Sequence, residues 1–199
     1  MTLLRRRNRS VRSSAGALAV ATTVAAAVLT TTVGVAQARP IGNFEVGGAI
    51  EAEYDRAGGF NTFGNPIGPE ADVGQGGKFQ PFERNISIYW SIGTDAQAVG
   101  GFIRDKWGAL GWENGALGFP VTDEQKAGRD GQGRYNLFNG GTIYWSPKTG
   151  AHAVWGAIRD VWTSEVAEKG RYGYPTGDEF DYQGGKAQDF QGGRITWKP

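Results

Sequence analysis

The sequence predicts an α+β repeat protein. Three units of about 54 residues, each a short helix, a Gly-Pro turn, a β-hairpin and a short strand, should close into a pseudo-three-fold, propeller-like domain. Three observations carry this expectation. Val46-Gly47-Gly48-Ala49-Ile50, Val99-Gly100-Gly101-Phe102-Ile103 and Val154-Trp155-Gly156-Ala157-Ile158 place their isoleucines 53 and 55 residues apart. The turn Phe63-Gly64-Asn65-Pro66 matches Leu117-Gly118-Phe119-Pro120 and Tyr172-Gly173-Tyr174-Pro175, with Glu70, Glu124 and Glu179 each four residues after the proline. Phe82, Phe138 and Phe190 then precede Ile88-Tyr89-Trp90, Ile143-Tyr144-Trp145 and Ile195-Thr196-Trp197.

Before the repeats comes an address. Residues 1–38 hold no acid; Arg5, Arg6, Arg7, Arg9 and Arg12 lead into an Ala/Val/Leu/Thr stretch and then Ala36-Gln37-Ala38. A basic start, an apolar middle and an A-x-A site describe a secretory signal peptide, so the expected product starts near Arg39 and is exported. An uncleaved anchor is the alternative, since about 20 apolar residues span a bilayer; the threonines and the small-residue site argue against it. Cleavage removes those five arginines from the 21 basic residues, leaving 16 against 20 acidic, a net charge of −4. Such a chain is a poor partner for nucleic acid, whose phosphates ask for basic residues. With no cysteine, the exported domain has no disulfide framework and depends on its core.

Residues 39–199 should form one domain, with repeats at about 44–98, 99–153 and 154–199. In each, Ile50/Tyr54, Ile103/Trp107 and Ile158/Trp162 are i,i+4 pairs that mark one apolar stripe on a short helix. Arg134–Phe138 and Thr142–Trp145 flank Asn139-Gly140-Gly141 and read as a hairpin, and Ala151–Val154 as a third strand. Phe44-Glu45-Val46 stands where Ala98-Val99 and Ala153-Val154 stand in the other junctions. In a linear stack each end would leave a bare edge; a ring in which Phe44–Val46 completes the last repeat would leave none, and this motivates the closed domain.

Leu117-Gly118-Phe119-Pro120, the glutamate that follows and Gly141-Thr142-Ile143-Tyr144-Trp145-Ser146 resemble the LGFP repeat. That family is found in exported proteins of mycolic-acid-containing actinobacteria, often beside mycolyltransferases. The resemblance covers roughly residues 44–197; the first unit departs from it at Asn65 and the last at Thr196. It implies cell-wall binding rather than catalysis: a non-catalytic envelope module for wall polysaccharide, of the arabinogalactan type. The alternative is a protein-interaction domain that docks an exported envelope enzyme.

The residue inventory agrees with the absence of catalysis. His152 is the single histidine, and no serine lies in a G-x-S-x-G elbow. A zinc site would need mostly carboxylates, and no cofactor motif is present, so neither metal nor cofactor is expected. The repeat-locked glutamates suit a structural role, accepting hydrogen bonds from turn N–H groups, although two carboxylates can also hydrolyse a glycoside. Aromatic rings are the stronger lead, since they pack on sugar C–H faces. Alternation along Ile-Tyr-Trp puts Ile and Trp on one face. Trp90, Trp145 and Trp197 are therefore expected in the core, with Tyr89 and Tyr144 outward. Trp112, Trp155, Phe119, Tyr174, Tyr89 and Tyr144 are the candidate ligand platforms.

Overall fold

The computed structural model describes residues 38–199, so the expected signal segment lies, but for Ala38, outside the described residues. The path begins with a small hairpin, β1 (Arg39–Ile41) against β2 (Phe44–Val46), and runs directly into helix α1 (Gly48–Arg56) and the short α2 (Gly59–Phe63). Strands β3 (Ala71–Val73), β4 (Gly77–Phe82), β5 (Ile86–Ser91) and β6 (Asp95–Gly100) form a four-stranded antiparallel meander. Helix α3 (Gly101–Ala109) follows without a gap. A second meander contains β7 (Gln125–Ala127), β8 (Gly133–Phe138), β9 (Gly141–Ser146) and β10 (Gly150–Trp155). Helix α4 (Gly156–Ser164) leads to a three-stranded sheet of β11 (Phe180–Tyr182), β12 (Gly185–Phe190) and β13 (Gly193–Trp197). The expected helix, turn, hairpin and closing strand are present, and each sheet gains a short first strand that periodicity does not reveal.

The strand-to-helix junction explains the double glycine. Gly48, Gly101 and Gly156 have φ of 57°, 52° and 52°, a left-handed conformation in which only glycine is unstrained. Helices of 9 residues are too short to persist alone and depend on packing. Their stripe supplies it: Ile50, Tyr54, Ile103, Trp107, Ile158 and Trp162 are all buried. The aromatic at i+4 also ties the helix to the turn. Tyr54 Oη donates to the Gly64 carbonyl (3.0 Å), Trp107 Nε1 to Gly118 (3.2 Å) and Trp162 Nε1 to Gly173 (3.1 Å). The turn's Pro66, Pro120 and Pro175 in turn bridge to Phe82, Phe138 and Phe190.

Successive units are joined by a repeated set of contacts. Phe119 packs against Gly77 of the unit before it, and Tyr174 against Gly133; a side chain at either glycine would collide with the ring. Tyr89 receives the edge of Trp107 at 4.6 Å, and Tyr144 that of Trp162 at 4.8 Å. Glu113 Oε1 accepts from Gly74 N (3.2 Å) and Glu168 Oε1 from Gly128 N (3.0 Å). A buried amide pins each closing strand to the next turn: Gln80 Nε2 donates to Glu45 O and Gly68 O, Asn136 Nδ2 to Ala98 O and Thr122 O, and Gln188 Nε2 to Ala153 O and Gly177 O.

Three sequence expectations need correction here. The ring does not close through Phe44–Val46, because that segment pairs with Arg39–Ile41. Among the described residues, β13 has β12 as its one neighbour. The joints run from first unit to second and from second to third, and the end positions carry no knob: Asn65 replaces Phe119 and Tyr174 where no described unit precedes, and exposed Thr196 replaces Tyr89 and Tyr144 where none covers it. Tyr89 and Tyr144 do not face outward; they are 4% and 8% exposed, because the following helix covers that face of the sheet. The glutamates do not cap turn N–H groups either. The residue before each of the last two instead caps the preceding closing strand, Asp123 Oδ1 accepting from Ala98 N (2.8 Å) and Asp178 Oδ1 from Ala153 N (3.4 Å).

Charged groups complete the joints. His152 is a strand residue as expected, its Nε2 at 2.9 Å from Thr149 O and its Nδ1 at 3.3 Å from Asp178. Burial pushes the Asp178 carboxyl up, but hydrogen bonds from His152 and Lys106 outweigh it and hold its pKa at about 2. At the first joint, Arg56 binds both oxygens of Glu53 (2.8 and 2.7 Å) and also pairs with Asp123. Glu53 is 5% exposed. Burial raises its pKa to about 7, with Arg56 opposing and Asp123 adding to the rise.

Two outcomes follow from these joints. Asn136→Ala would leave the Ala98 and Thr122 carbonyls buried and unpaired, so stability should fall by about 2–4 kcal/mol in chemical denaturation. Glu53 holds its proton more tightly in the folded chain than in the unfolded one. Stability should therefore fall by about 1–3 kcal/mol as pH rises from its ordinary pKa of 4.5 to about 7. In Glu53→Gln, urea midpoints should lose that slope.

A repeated tryptophan and ion-pair face

One surface recurs on every unit, and it is built by strand register. Lys78 lies opposite Trp90 in β4–β5, Arg134 opposite Trp145 in β8–β9, and Lys186 opposite Trp197 in β12–β13. Directly opposed residues share a face of the sheet. The repeat-locked glutamate stands beside the cation: Glu70 Oε1 is 2.8 Å from Lys78 Nζ, and Glu124 Oε1 is 3.3 Å from Arg134 Nε. In the third unit Lys186 pairs with Asp181 instead. The first residues of α1 and α3 complete the wall.

These surfaces differ in size, and one residue accounts for the difference between the first two. The first is a cleft of about 750 Å³ lined by Phe44, Gly48, Ala49, Glu70, Lys78 and Trp90. Its counterpart in the second unit, lined by Phe102, Glu124, Arg134 and Trp145, holds about 210 Å³. There Phe102 stacks on Trp145 at 5.8 Å with the rings 9° from parallel, whereas Ala49 and Ala157 occupy that place in the other units. The third surface, with Lys186, Tyr182 and Trp197, is a depression of about 400 Å³.

The chemistry is that of a half-wet binding wall. An indole face offers apolar contact, a carboxylate accepts and an ammonium or guanidinium donates. Hydrogen bonds to Glu70 and then Asp72 raise the Lys78 pKa, which keeps the ammonium charged. Burial raises the Glu124 carboxyl, and the Arg134 charge opposes that rise. Each cation of the wall is thus paired with a carboxylate.

The six sequence candidates occupy other places. Phe119, Tyr89 and Tyr144 are buried and have no ring face to offer a ligand. Trp112 is half-buried at the first joint, its ring edge-on to Trp107 at 5.3 Å and the Arg104 guanidinium 5.1 Å over it. Trp155 is half-buried against the second core. Tyr174 is half-buried at the second joint, with its hydroxyl buried and without a partner. Conversely, Trp90 and Trp145 are half-buried with part of each ring packed against the first and second cores, and Trp197, expected in the core, is 41% exposed. Each lies two residues beyond its isoleucine, and in the first unit Trp90 shares a cleft with the opening residues of the helix. A signal for this face stood in the sequence: Gly77-Lys78, Gly133-Arg134 and Gly185-Lys186, each four residues before the repeated phenylalanine.

The fold and this face define an α+β repeat module. The chain belongs to the LGFP repeat family, whose model matches residues 63–115, 117–170 and 173–199. The family is associated with cell-wall proteins and is a repeat module rather than a catalytic domain. Its units start at the turn, so closing strand and helix fall late in the first two matches, and the third covers β11 to β13. No curated protein matches the chain. Among the described residues, no helix is long and apolar enough to cross a membrane.

Proposed function

We propose that this chain is an exported, non-catalytic envelope module that holds wall polysaccharide, of the arabinogalactan type, along its tryptophan and ion-pair face. The observation that supports the reading is the recurrence on each unit of an indole opposite a cation with a carboxylate beside it. Sugars present flat C–H faces and hydroxyls that both donate and accept, and this wall offers a partner for each. A wall whose cations are already paired with carboxylates suits an uncharged polymer better than nucleic acid, whose binding rests on unpaired basic residues.

Each surface is small and open, so single-site affinity of about 1 mM, roughly −4 kcal/mol, is the scale to expect. A polymer that reaches two surfaces gains about 10² in apparent affinity through effective concentration. Purified, protein-free wall should therefore retain the chain while short oligosaccharides compete poorly. Trp90→Ala and Trp197→Ala should each weaken sedimentation with wall by about tenfold while circular dichroism shows the fold intact. Phe102→Ala, which uncovers Trp145, should strengthen it. Failure of stripped wall to retain the folded wild-type chain would sink the proposal and favour docking to an envelope protein.

A further inference from the structure

In the first two sheets, the strand carrying the Ile-Tyr-Trp triplet is hydrogen-bonded on its outer edge by a closing strand, β5 by β6 and β9 by β10. The third such strand, β13, has no closing strand among the described residues. An exposed edge of this kind is a template for another strand. At the opposite end, β2 is built as a closing strand. It runs through Val46 and a glycine junction into α1, as β6 runs into α3, and its Glu45 carbonyl accepts from Gln80 as Ala98 and Ala153 accept from Asn136 and Gln188.

What pairs with β2 is β1, a strand of 3 residues that stands in for a triplet strand. The registers align: Val46 faces Arg39, Val99 faces Ser87 and Val154 faces Thr142. By the same alignment, the residue of β13 that would face Val46 is Arg194. Arg39 in that place pairs with Glu51 at 3.0 Å and also with Asp55. Arg194 now pairs with half-buried Asp189 and lies over the Phe180 and Tyr182 rings. β13 thus carries the same charge, at the same register, as β1.

We infer that β1 and β13 compete for β2, and that a second copy of this chain can dock head-to-tail by seating its β13 on β2 in place of β1. Arg194 of one copy then meets Glu51 and Asp55 of the next, and the array continues across the junction. The contact is heterologous and does not close, so it generates a ladder of sizes. Asn65 and Thr196, which lack the aromatic knobs of the internal joints, keep it weak.

Sedimentation velocity over a concentration series tests this on protein expressed from the full sequence. Ile41→Asp, which loosens β1, should bring the onset of association to about tenfold lower concentration with a broad ladder of species. Adding Arg194→Glu should return it to monomer. A folded Ile41→Asp chain that stays monomeric, a species that stops at the dimer, or association indifferent to Arg194→Glu would each overturn the inference. If Ile41→Asp fails to fold, wild type and Arg194→Glu near 1 mM decide: association of the first alone is the expected result, and equal behaviour contradicts it.

Discussion

Everything in this domain depends on the aromatic joint between one unit and the next. A ring from the turn, Phe119 or Tyr174, enters the space above a strand glycine of the preceding sheet, while Tyr89 or Tyr144 closes the following unit's core from the other side. The second core contains Tyr89, and the third contains Tyr144. No internal unit therefore completes its core from its own residues. Truncating a buried aromatic costs about 3–5 kcal/mol, whereas exposed ion pairs such as Lys78 with Glu70 contribute far less. The rings hold the array, and the surface charges are left free for other work.

That division explains the departures from the repeat. Asn65 and Thr196 are not random drift. They mark the places where a knob would have nothing described to enter and where a tyrosine would lie bare to water. Internal glycines follow the same logic, since Gly77 and Gly133 are small because a ring from the next unit occupies the space their side chains would need.

Much of the fold was legible in the residues. The i,i+4 stripes predicted the helices, Asn139-Gly140-Gly141 predicted the hairpin, and the repeat itself predicted modular assembly. The misplaced strand aromatics had one cause. Alternation separates the two faces of a strand but does not say that both are covered, and here a helix lies on each: Ile88 packs with Ile50 and Tyr54, and Tyr89 with Trp107. An outward tyrosine was the natural reading for a sheet covered once. The same assumption sent Trp90, Trp145 and Trp197 to the core, although short helices do not cover them fully.

The central claim is that stability passes from unit to unit through these joints. Amide hydrogen exchange in Phe119→Asn, which copies the end residue Asn65 into the first joint, tests it most directly. The account predicts that protection falls in β4 and β5 and at the start of the second unit, while β12 and α4 keep theirs. Loss of protection spread evenly over all three units, or no change around Gly77, would contradict it.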